Sequence, residues 1–395
     1  MPEDQPNEDP PLRSVHTTSF PNILAEAVAS VLVTTYQAGK LVILRNDGGV
    51  LNTHFRNFPK PMGLAVDRGK LAIGTTHEIH EFHNVPAVCP KLGNVADELP
   101  APSHSRGGLG RGAVSGTHSN AAHDQRDQIP KHDACFMPRR THTTGDVQIH
   151  EMAWVGDELW FANTAFSCLS TRSEANSFEV RWRPRFVKKL LPGDCCHLNG
   201  LATRDGRVRY VTALGETSEP GAWRQNKRDG GVLIDVASNE VIARSLSMPH
   251  SPRWHRNRLW LLESGQGSLG TVDLATGRYE PIAQLPGFTR GLSFLGPLAF
   301  VGLSQVRESA TFSDFPLVER LQERTCGVWV INIETGATVA FVRFEDAVQE
   351  IFTVEVLPGT RYPDLINHDA ELIGRSYVLA DAALNEVPAE LRSAN

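Results

Sequence analysis

The sequence has no long apolar run, no excess of basic residues and few cysteines, and each absence argues against a class of protein. No window of the 395 residues approaches the ~18 consecutive apolar residues of a membrane-spanning helix. The net charge of −6 and a pI near 6.2 argue against a protein that binds nucleic acid or an anionic membrane through a basic surface. Six cysteines in this length do not make a disulfide scaffold.

Two segments have the composition of disordered chain. Residues 1–12 are acidic and Pro-rich and lack the basic start and apolar stretch of a secretory signal, which predicts a disordered tail and a cytoplasmic protein. Residues 94–131 contain SHSRGGLGRGAVSGTHSN and few bulky apolar side chains, which predicts a long flexible insertion. We therefore expect one domain over residues 13–385, interrupted by this insertion, and a C-terminal tail at 386–395.

An internal repeat is the strongest pattern in what remains. Each copy has small or polar residues followed, after a turn, by a short apolar strand. Five copies begin near Met62, His150, Asn199, His250 and Arg290, and a weaker sixth copy begins at Glu350. Hairpins with a polar turn follow several copies, beginning at Leu41, Val232, Gly270 and Val328.

Two hairpins per copy make a four-stranded unit, and six units of roughly 40–60 residues fill the chain. The pattern predicts an all-β fold, a six-bladed β-propeller with four-stranded blades around a central channel. A seven-bladed propeller and a pair of β-sandwich domains are the alternatives. We expect the segment Ser14–Ser19 to pair with the last blade and close the ring, and a short helix near Ile23–Val28.

Several strings in these repeats resemble a known family. They are Thr34-Thr35-Tyr36-Gln37-Ala38-Gly39-Lys40, Thr144-Gly145-Asp146, Ile149-His150-Glu151, Phe166-Ser167-Cys168-Leu169, Cys196-His197-Leu198-Asn199-Gly200, Pro249-His250-Ser251-Pro252-Arg253-Trp254, Pro286-Gly287-Phe288-Thr289-Arg290-Gly291-Leu292 and Glu350-Ile351-Phe352. On them the chain resembles a bacterial family of conserved hypothetical proteins, a domain of unknown function sometimes found beside tetratricopeptide repeats. The resemblance covers about residues 15–365 and implies a propeller-like fold but no activity.

The repeat alignment brings polar residues toward one axis. The first strand of each propeller blade lines the channel, and the starts of these strands converge on one face. His150 and His250 occupy equivalent positions in the alignment. Six further polar or charged residues fall close to them: Glu151, His197, Asn199, Arg253, Arg290 and Glu350. Because dry, unpaired polar groups are costly, these side chains must pair with one another, with water, with an ion or with a ligand.

Three histidines from three consecutive blades are typical of a metal site. We predict His150, His197 and His250 as ligands of a divalent or redox metal, Zn, Fe or Cu. Glu151, His197 and Glu350 are the candidate catalytic residues, either as general base or as groups that orient a ligand. Two alternatives stay open: acid–base catalysis by histidine without a metal, and a water-filled channel whose histidines are satisfied by their neighbours.

Arg253 and Arg290 are the candidate anion-binding residues, with Asn199 as a further substrate-binding residue. A guanidinium matches the geometry of a carboxylate or phosphate, so the two arginines predict a small acidic substrate group. The alternative is that the arginines form ion pairs with Glu151 or Glu350.

Other motifs point away from particular chemistries. Cys195 and Cys196 are adjacent, and buried structural thiols are the favoured interpretation. Ser264 in ESGQG lacks the nucleophile elbow of hydrolases and is interpreted as part of a turn. Gly107–Gly112 lacks the strand–helix context of a phosphate-binding loop, so no nucleotide cofactor is expected.

Two functions fit these observations. The first is an enzyme with its site at the channel mouth, a metal-dependent hydrolase, lyase or oxygenase acting on a small acidic or polar substrate. The second is a non-catalytic propeller module that presents its rim to a ligand such as a peptide or a glycan, or to a protein. Trp182 and Trp223 lie in loops and are candidates to line a pocket. A propeller fold by itself does not choose between the two.

Overall fold

A computed structural model of the chain describes residues 12–92, 131–305, 315–345, 347–367 and 369–392. The predicted N-terminal tail and the predicted insertion at 94–131 lie outside these residues, apart from Leu12 and Lys131. Residues 393–395 of the predicted C-terminal tail also lie outside them.

Short strands separated by turns follow one another along the described chain, as the repeat predicted. Strands β1 to β13 are Ser14–His16, Ala29–Thr35, Lys40–Asp47, Val50–Asn57, Leu64–Asp67, Lys70–Gly74, Glu78–Asn84, Ala134–Thr143, Ile149–Val155, Glu158–Asn163, Cys168–Thr171, Glu179–Trp182 and Leu198–Arg204. Strands β14 to β26 are Arg207–Ala213, Gly231–Asp235, Glu240–Leu246, Pro249–His255, Arg258–Glu263, Ser268–Val272, Tyr279–Gln284, Phe288–Leu295, Leu298–Ser304, Cys326–Asn332, Thr338–Phe344, Thr353–Pro358 and Pro363–Leu365.

Helices are short. Helix α1 spans Ser19–Glu26 and buries Phe20 and Leu24. It begins four residues before the predicted helix near Ile23–Val28, since Pro21 in its first turn removes no helical hydrogen bond there. The remaining α-helices α2 to α5 are Cys89–Leu92, Pro316–Arg320, Ala370–Gly374 and Asp381–Leu384, and 3-10 helices span Pro86–Val88, Ala222–Asn226 and Ala389–Leu391.

The strands form six antiparallel blades. Consecutive strands make five of them, β5–β8, β9–β12, β13–β16, β17–β20 and β21–β24, and the sixth has the order β25-β2-β3-β4. The inner strands β5, β9, β13, β17, β21 and β25 contact one another in this order, and β25 also contacts β5. The ring is therefore closed, and the prediction of a six-bladed β-propeller is confirmed.

The two ends of the domain meet in the blade that closes the ring. Strand β25 pairs with β2, with Val354 opposite Val33. The predicted pairing of the N-terminal segment with the last blade is confirmed, because Val15 of β1 lies opposite Arg343 of β24. This pairing adds a fifth, outer strand to a complete blade, however, and β25 is the strand that closes the ring. Strand β26 adds in parallel to the outer edge of β8.

The core is divided among the six interfaces between neighbouring blades. Each of the six largest clusters of buried apolar side chains is shared by two adjacent blades. Trp260, for example, is 2% exposed and packs with Leu292 and Val301 of the next blade. A blade is one sheet thick, so both of its faces must be covered, and this explains why inner and central strands are apolar on both sides.

None of the helices in the described residues is long and apolar enough to cross a membrane. All six cysteines are free and buried. Burial raises the pKa of Cys196 to about 12 and also raises that of Cys195. The adjacent thiols therefore have the character of structural residues rather than nucleophiles, which agrees with their interpretation from sequence.

Candidate functional site

One mouth of the channel is a cavity of about 570 Å³. Five of the eight predicted site residues line it: His150, His197, His250, Arg290 and Glu350. Trp223, from the 3-10 helix Ala222–Asn226, also lines the cavity, whereas Trp182 lies in strand β12 and is not part of the lining. The remaining predicted residues, Glu151, Asn199 and Arg253, are not part of the lining.

The local backbone geometry directs the side chains of the two equivalent histidines, His150 and His250, into the cavity. His150 and His250 are the second residues of the inner strands β9 and β17. The pairing register shifts between Ile149 and Met152 in β9 and between His250 and Arg253 in β17, as in a β-bulge. A bulge changes the direction of the side chains near it. Two residues before the histidines, Gln148 and Met248 have left-handed backbones with φ of 52° and 51°.

Each of these histidines is held through Nδ1. The Nδ1 atom of His150 lies 3.0 Å from the carbonyl of Gln148 and 2.8 Å from the hydroxyl of Thr164. That hydroxyl donates to the carbonyl of Leu198 in the next blade at 2.5 Å. The histidine thus ties a turn of its own blade to the neighbouring inner strand.

His250 has the same arrangement one hundred residues later. Its Nδ1 atom lies 2.9 Å from the carbonyl of Met248 and 2.9 Å from the hydroxyl of Ser264, which donates to the carbonyl of Thr289 in the next blade. Ser264 therefore holds the ring of His250 in place. Its hydroxyl hydrogen is bonded to a carbonyl and does not point to a base that could activate it as a nucleophile. The interpretation of Ser264 as part of a turn agrees with its position between β18 and β19.

Burial keeps both of these histidines neutral. It lowers the pKa of His150 well below its ordinary value, and the charges of His197 and Arg290 lower it further. Burial also lowers the pKa of His250, with Arg290 as the second cause. At neutral pH each ring therefore carries one hydrogen.

His197 enters the cavity from a different position in the repeat. It lies two residues before Asn199, the second residue of β13, and so corresponds to Gln148 and Met248. It shares their left-handed backbone, with φ of 51°. Its ring lies 4.8 Å from that of His150, measured between centroids. As in the alignment of the repeats, only His150 and His250 occupy equivalent positions.

A carboxylate orients His197. Its Nδ1 atom lies 2.9 Å from Oδ2 of Asp194, which also accepts from Nε1 of Trp223 at 3.0 Å. The ring of Trp223 packs 4.4 Å from that of His197. Because a carboxylate only accepts, His197 donates from Nδ1 and turns Nε2 away from Asp194. An aspartate that holds Nδ1 of a histidine in this way leaves Nε2 as the nitrogen that can accept a proton, as in histidines that act as general bases.

Among the described residues, no carboxylate forms an ion pair with Arg290 of the cavity lining. Its guanidinium lies over the ring of Phe352, 3.6 Å from the centroid. Burial lowers its pKa to about 10, against the attraction of Glu350 and Glu151. The six charged residues of the lining are balanced in number: Lys60, Arg224 and Arg290 against Asp146, Asp194 and Glu350. Arg224, unlike Arg290, lies 3.5 Å from Asp194.

Arg253 and Glu151 form a separate cluster on the inner strands, outside the lining of the cavity. Arg253 bonds to Glu151 through Nη2, and the same atom lies 3.1 Å from Oε1 of Glu355. Attraction to these two carboxylates, against the effect of burial, raises the pKa of Arg253. Burial raises the pKa of Glu355 to about 7. Arg253 thus has the ion pair with Glu151 that its alternative interpretation allowed.

The side-chain amide of Asn199 is used in hydrogen bonds within and between blades. Asn199 is 2% exposed, donates to the carbonyl of Pro249 at 3.1 Å and accepts from the hydroxyl of Thr212 at 2.7 Å. Its amide therefore links three strands and is not available to a ligand in the cavity.

The three histidines predicted as metal ligands line one cavity, but their side chains are not arranged as a coordination sphere. In the parts of the chain that the structure describes, no group of three or more His, Cys, Asp or Glu side chains is arranged to hold a metal ion. The ligation of a metal by His150, His197 and His250 stays a prediction.

Sequence reasoning missed four residues that shape the site. They are Thr164, Asp194, Phe352 and Glu355. Signals for two of them exist: Thr164 and Ser264 each follow their histidine by fourteen positions, and Asp194 opens the string DCCH. The positions of Phe352 and Glu355 depend on β25 joining the N-terminal blade, which no local pattern shows.

The comparisons with known proteins concern family and fold. A family model described as a domain of unknown function, DUF4915, matches residues 18–105 and 116–366. A search of curated proteins gives no match.

Solved structures that resemble the chain include a nidogen/laminin complex, 9% identical over 84% of this chain and 99% of that chain, with a TM-score of 0.49. A protein of unknown function from Bacteroides caccae is 10% identical over 83% and 98%, with a TM-score of 0.47. Streptogramin B lyase is 13% identical over 71% and 67%, with a TM-score of 0.36. We draw no argument about function from likenesses at this level.

Proposed function

We propose that this chain, which belongs to the DUF4915 family, is an enzyme that binds a small anionic substrate in the mouth cavity. Arg290 is the anion-binding residue of this proposal, and His197, oriented by Asp194, is its general base. The class of reaction, whether hydrolase, lyase or oxygenase, stays open.

The unpaired charge of Arg290 is the observation that carries the proposal. A guanidinium that is partly removed from water and has no counter-ion costs free energy in the folded protein. A carboxylate or phosphate in the cavity would offset that cost with charge-assisted hydrogen bonds. Stacking on Phe352 holds the guanidinium in place, so little further ordering is needed on binding.

The proposed base is supported by its surroundings. Asp194 and Trp223 fix the ring of His197 from two sides, which leaves Nε2 to take a proton from a bound substrate. Glu350 lines the same cavity and is a second candidate for proton transfer. Glu151 does not fit this role, because it is bonded to Arg253 outside the lining.

Anion binding is tested with Arg290→Gln and a matched control, Arg207→Gln, at an exposed arginine of β14. The probes are phosphate, succinate and citrate, and the readout is the melting temperature together with calorimetric titration. We expect at least one probe to bind wild type and the control equally and to bind Arg290→Gln at least ~10-fold more weakly. Equal binding by all three proteins, or no binding by any, contradicts the proposal.

The enzyme function is separated from the alternative, a ligand- or protein-binding propeller, by His197→Gln. Each protein is incubated with an extract of small metabolites, and the anionic components are followed by mass spectrometry. The enzyme proposal expects wild type to consume an anionic metabolite that the variant binds but leaves unchanged. Retention of a metabolite by both proteins without its conversion would favour the binding module.

A metal-dependent form of the enzyme is the second candidate, and one observation favours it. All three histidines are held through Nδ1, by the carbonyls of Gln148 and Met248 and by Asp194, as metal-binding histidines usually are. The test is elemental analysis of protein purified without chelators, with melting curves in added Zn²⁺, Fe²⁺ and Cu²⁺. Well under one metal per chain and unchanged melting temperatures would argue against it.

The predicted cytoplasmic setting is also kept as a proposal. Six free, buried cysteines agree with a reducing compartment. Fractionation of the native host, with the protein detected by antibody, would test it.

A further inference from the structure

We propose that the ligand of the mouth cavity carries hydroxyl or amino hydrogens beside its anionic group, because His150 and His250 face it as hydrogen-bond acceptors. The inference rests on the proposed binding of an anion at Arg290 and names the chemical class of that anion. A hydroxycarboxylate and the phosphate ester of a polyol share this chemistry.

The hydrogens around His150 can be assigned by counting donors. The carbonyls of Gln148 and Leu198 can only accept. The hydroxyl of Thr164 has one hydrogen and gives it to Leu198, so toward His150 it must accept. The ring nitrogen that lies 3.0 Å from Gln148 and 2.8 Å from Thr164 therefore carries the hydrogen, and Nδ1 is the donor.

The same count applies to His250. The hydroxyl of Ser264 gives its hydrogen to the carbonyl of Thr289, and the carbonyl of Met248 accepts. Nδ1 of His250 is therefore the donor to both Met248 and Ser264. Two independent sets of partners, in blades that are not adjacent, impose the same tautomer.

A neutral imidazole with its hydrogen on Nδ1 offers only a lone pair at Nε2. Both rings are buried, with His150 7% and His250 5% exposed, and burial disfavours the charged imidazolium. Both rings line the cavity with their Nδ1 atoms already used by the protein, so Nε2 is the nitrogen left for a ligand.

The cavity thus combines a cation with two acceptors. A simple anion satisfies Arg290 but brings no hydrogen to either Nε2 atom and displaces water that could donate there. An anion with hydroxyl or amino groups satisfies both kinds of partner. Sites that hydrogen-bond a substrate hydroxyl discriminate strongly against an analogue that lacks it, since the buried acceptor is then left unpaired.

The test uses probes that differ only in hydroxyl groups. For carboxylates the series is succinate, malate and tartrate, and for phosphates it is propyl phosphate against glycerol 3-phosphate. Affinities are measured by calorimetry with wild type, with Arg290→Gln and with His250→Phe, which keeps a ring but removes the acceptor. We expect the hydroxylated member of one series to bind wild type ~10-fold tighter than its plain analogue. We expect His250→Phe to reduce this preference.

A second measurement does not depend on the variant's folding. Nitrogen-15 NMR of wild-type protein at pH 7, labelled in histidine, distinguishes the two neutral tautomers directly. We expect the signals of His150 and His250, assigned with single-site variants, to show hydrogen on Nδ1 and none on Nε2. Hydrogen on Nε2 of both rings would overturn the inference.

The outcomes separate this inference from the proposed function. If plain and hydroxylated anions bind wild type equally, and both need Arg290, anion binding stands and the inference fails. If neither class binds wild type, the proposed function fails and the inference with it. A hydroxyl preference that appears only with added Zn²⁺ would assign the two lone pairs to a metal and also overturn the inference.

Discussion

Two arginines on the inner strands of this propeller have opposite surroundings. Arg253 contacts Glu151 and Glu355, so its charge is matched inside the protein. Arg290 lies on Phe352 in the cavity lining, and no described carboxylate forms an ion pair with it. The two come from neighbouring blades, β17 and β21. Of the two buried charges, the one that the fold leaves unmatched is therefore the stronger candidate for a functional residue.

The largest expected effect is on stability and distinguishes the two arginines. Arg253→Gln leaves two carboxylates of the channel without their cation, and we expect it to lower the free energy of unfolding by about 3–5 kcal/mol. Arg290→Gln removes a charge with no partner, and we expect a loss below about 1 kcal/mol or a gain. Urea denaturation of both variants and of Arg207→Gln measures the difference.

Equal losses of stability in Arg253→Gln and Arg290→Gln would contradict this distinction between the two arginines. They would mean that Arg290 has a counter-ion in the folded protein in solution. A loss in Arg207→Gln of similar size would instead show that the method does not resolve the difference between channel and surface.

A change of pH is expected to have an effect of intermediate size on the free energy of unfolding. Glu355 has a pKa of about 7 in the folded protein, above its unfolded value near 4.5. The folded state therefore binds more protons in this window, and the stability from Glu355 falls as the pH rises from about 4.5 to about 7. Relative to wild type, Glu355→Gln should gain about 1–3 kcal/mol between pH 4.5 and pH 8.

The histidines of the mouth cavity change stability with pH in the opposite direction. His150 and His250 have lowered pKa values, so they contribute stability above pH ~6.5 that is lost as the pH falls further. Because wild type and Glu355→Gln share both histidines, this contribution cancels in the difference between the two proteins. A difference that does not change with pH would contradict the role assigned to Glu355.

The smallest effect is expected from the hydroxyl that anchors His250. Ser264→Ala removes an acceptor from Nδ1 and leaves the carbonyl of Thr289 without its donor, which should cost about 1–2 kcal/mol. The response to anions through Arg290 should remain. Urea denaturation and the anion titration check the two parts, and an unchanged stability would show that the hydroxyl is not bonded as described.

Much of the fold could be predicted from the sequence because it repeats. Five clear copies of one apolar pattern place five of the six inner strands, and the polar turns place several outer hairpins. The strand that closes the ring could not be predicted in this way. Its copy, near Glu350, is weak, and its partner β2 is more than 300 positions away. Two strands so far apart in the chain can pair without any pattern in the sequence near either of them that shows it.

The candidate site was predictable to a smaller extent. Alignment of the repeats brought His150, His250 and Arg290 to one mouth, and the structure places all three on one cavity. Alignment also brought Asn199 there, but its amide is used between blades. Bulges and left-handed residues at the strand starts decide where each side chain points, and a change of one position moves a side chain to the other face.

Periodic patterns of apolar and polar residues in the sequence establish the class of fold, the number of blades and the residue types near the axis. The tertiary structure alone decided which charges are matched and which histidine nitrogens are free. Those properties depend on partners from other blades, such as Glu355 for Arg253 and the carbonyl of Thr289 for Ser264. Only when the ring closes do side chains that are distant in the chain replace water as each other's polar partners.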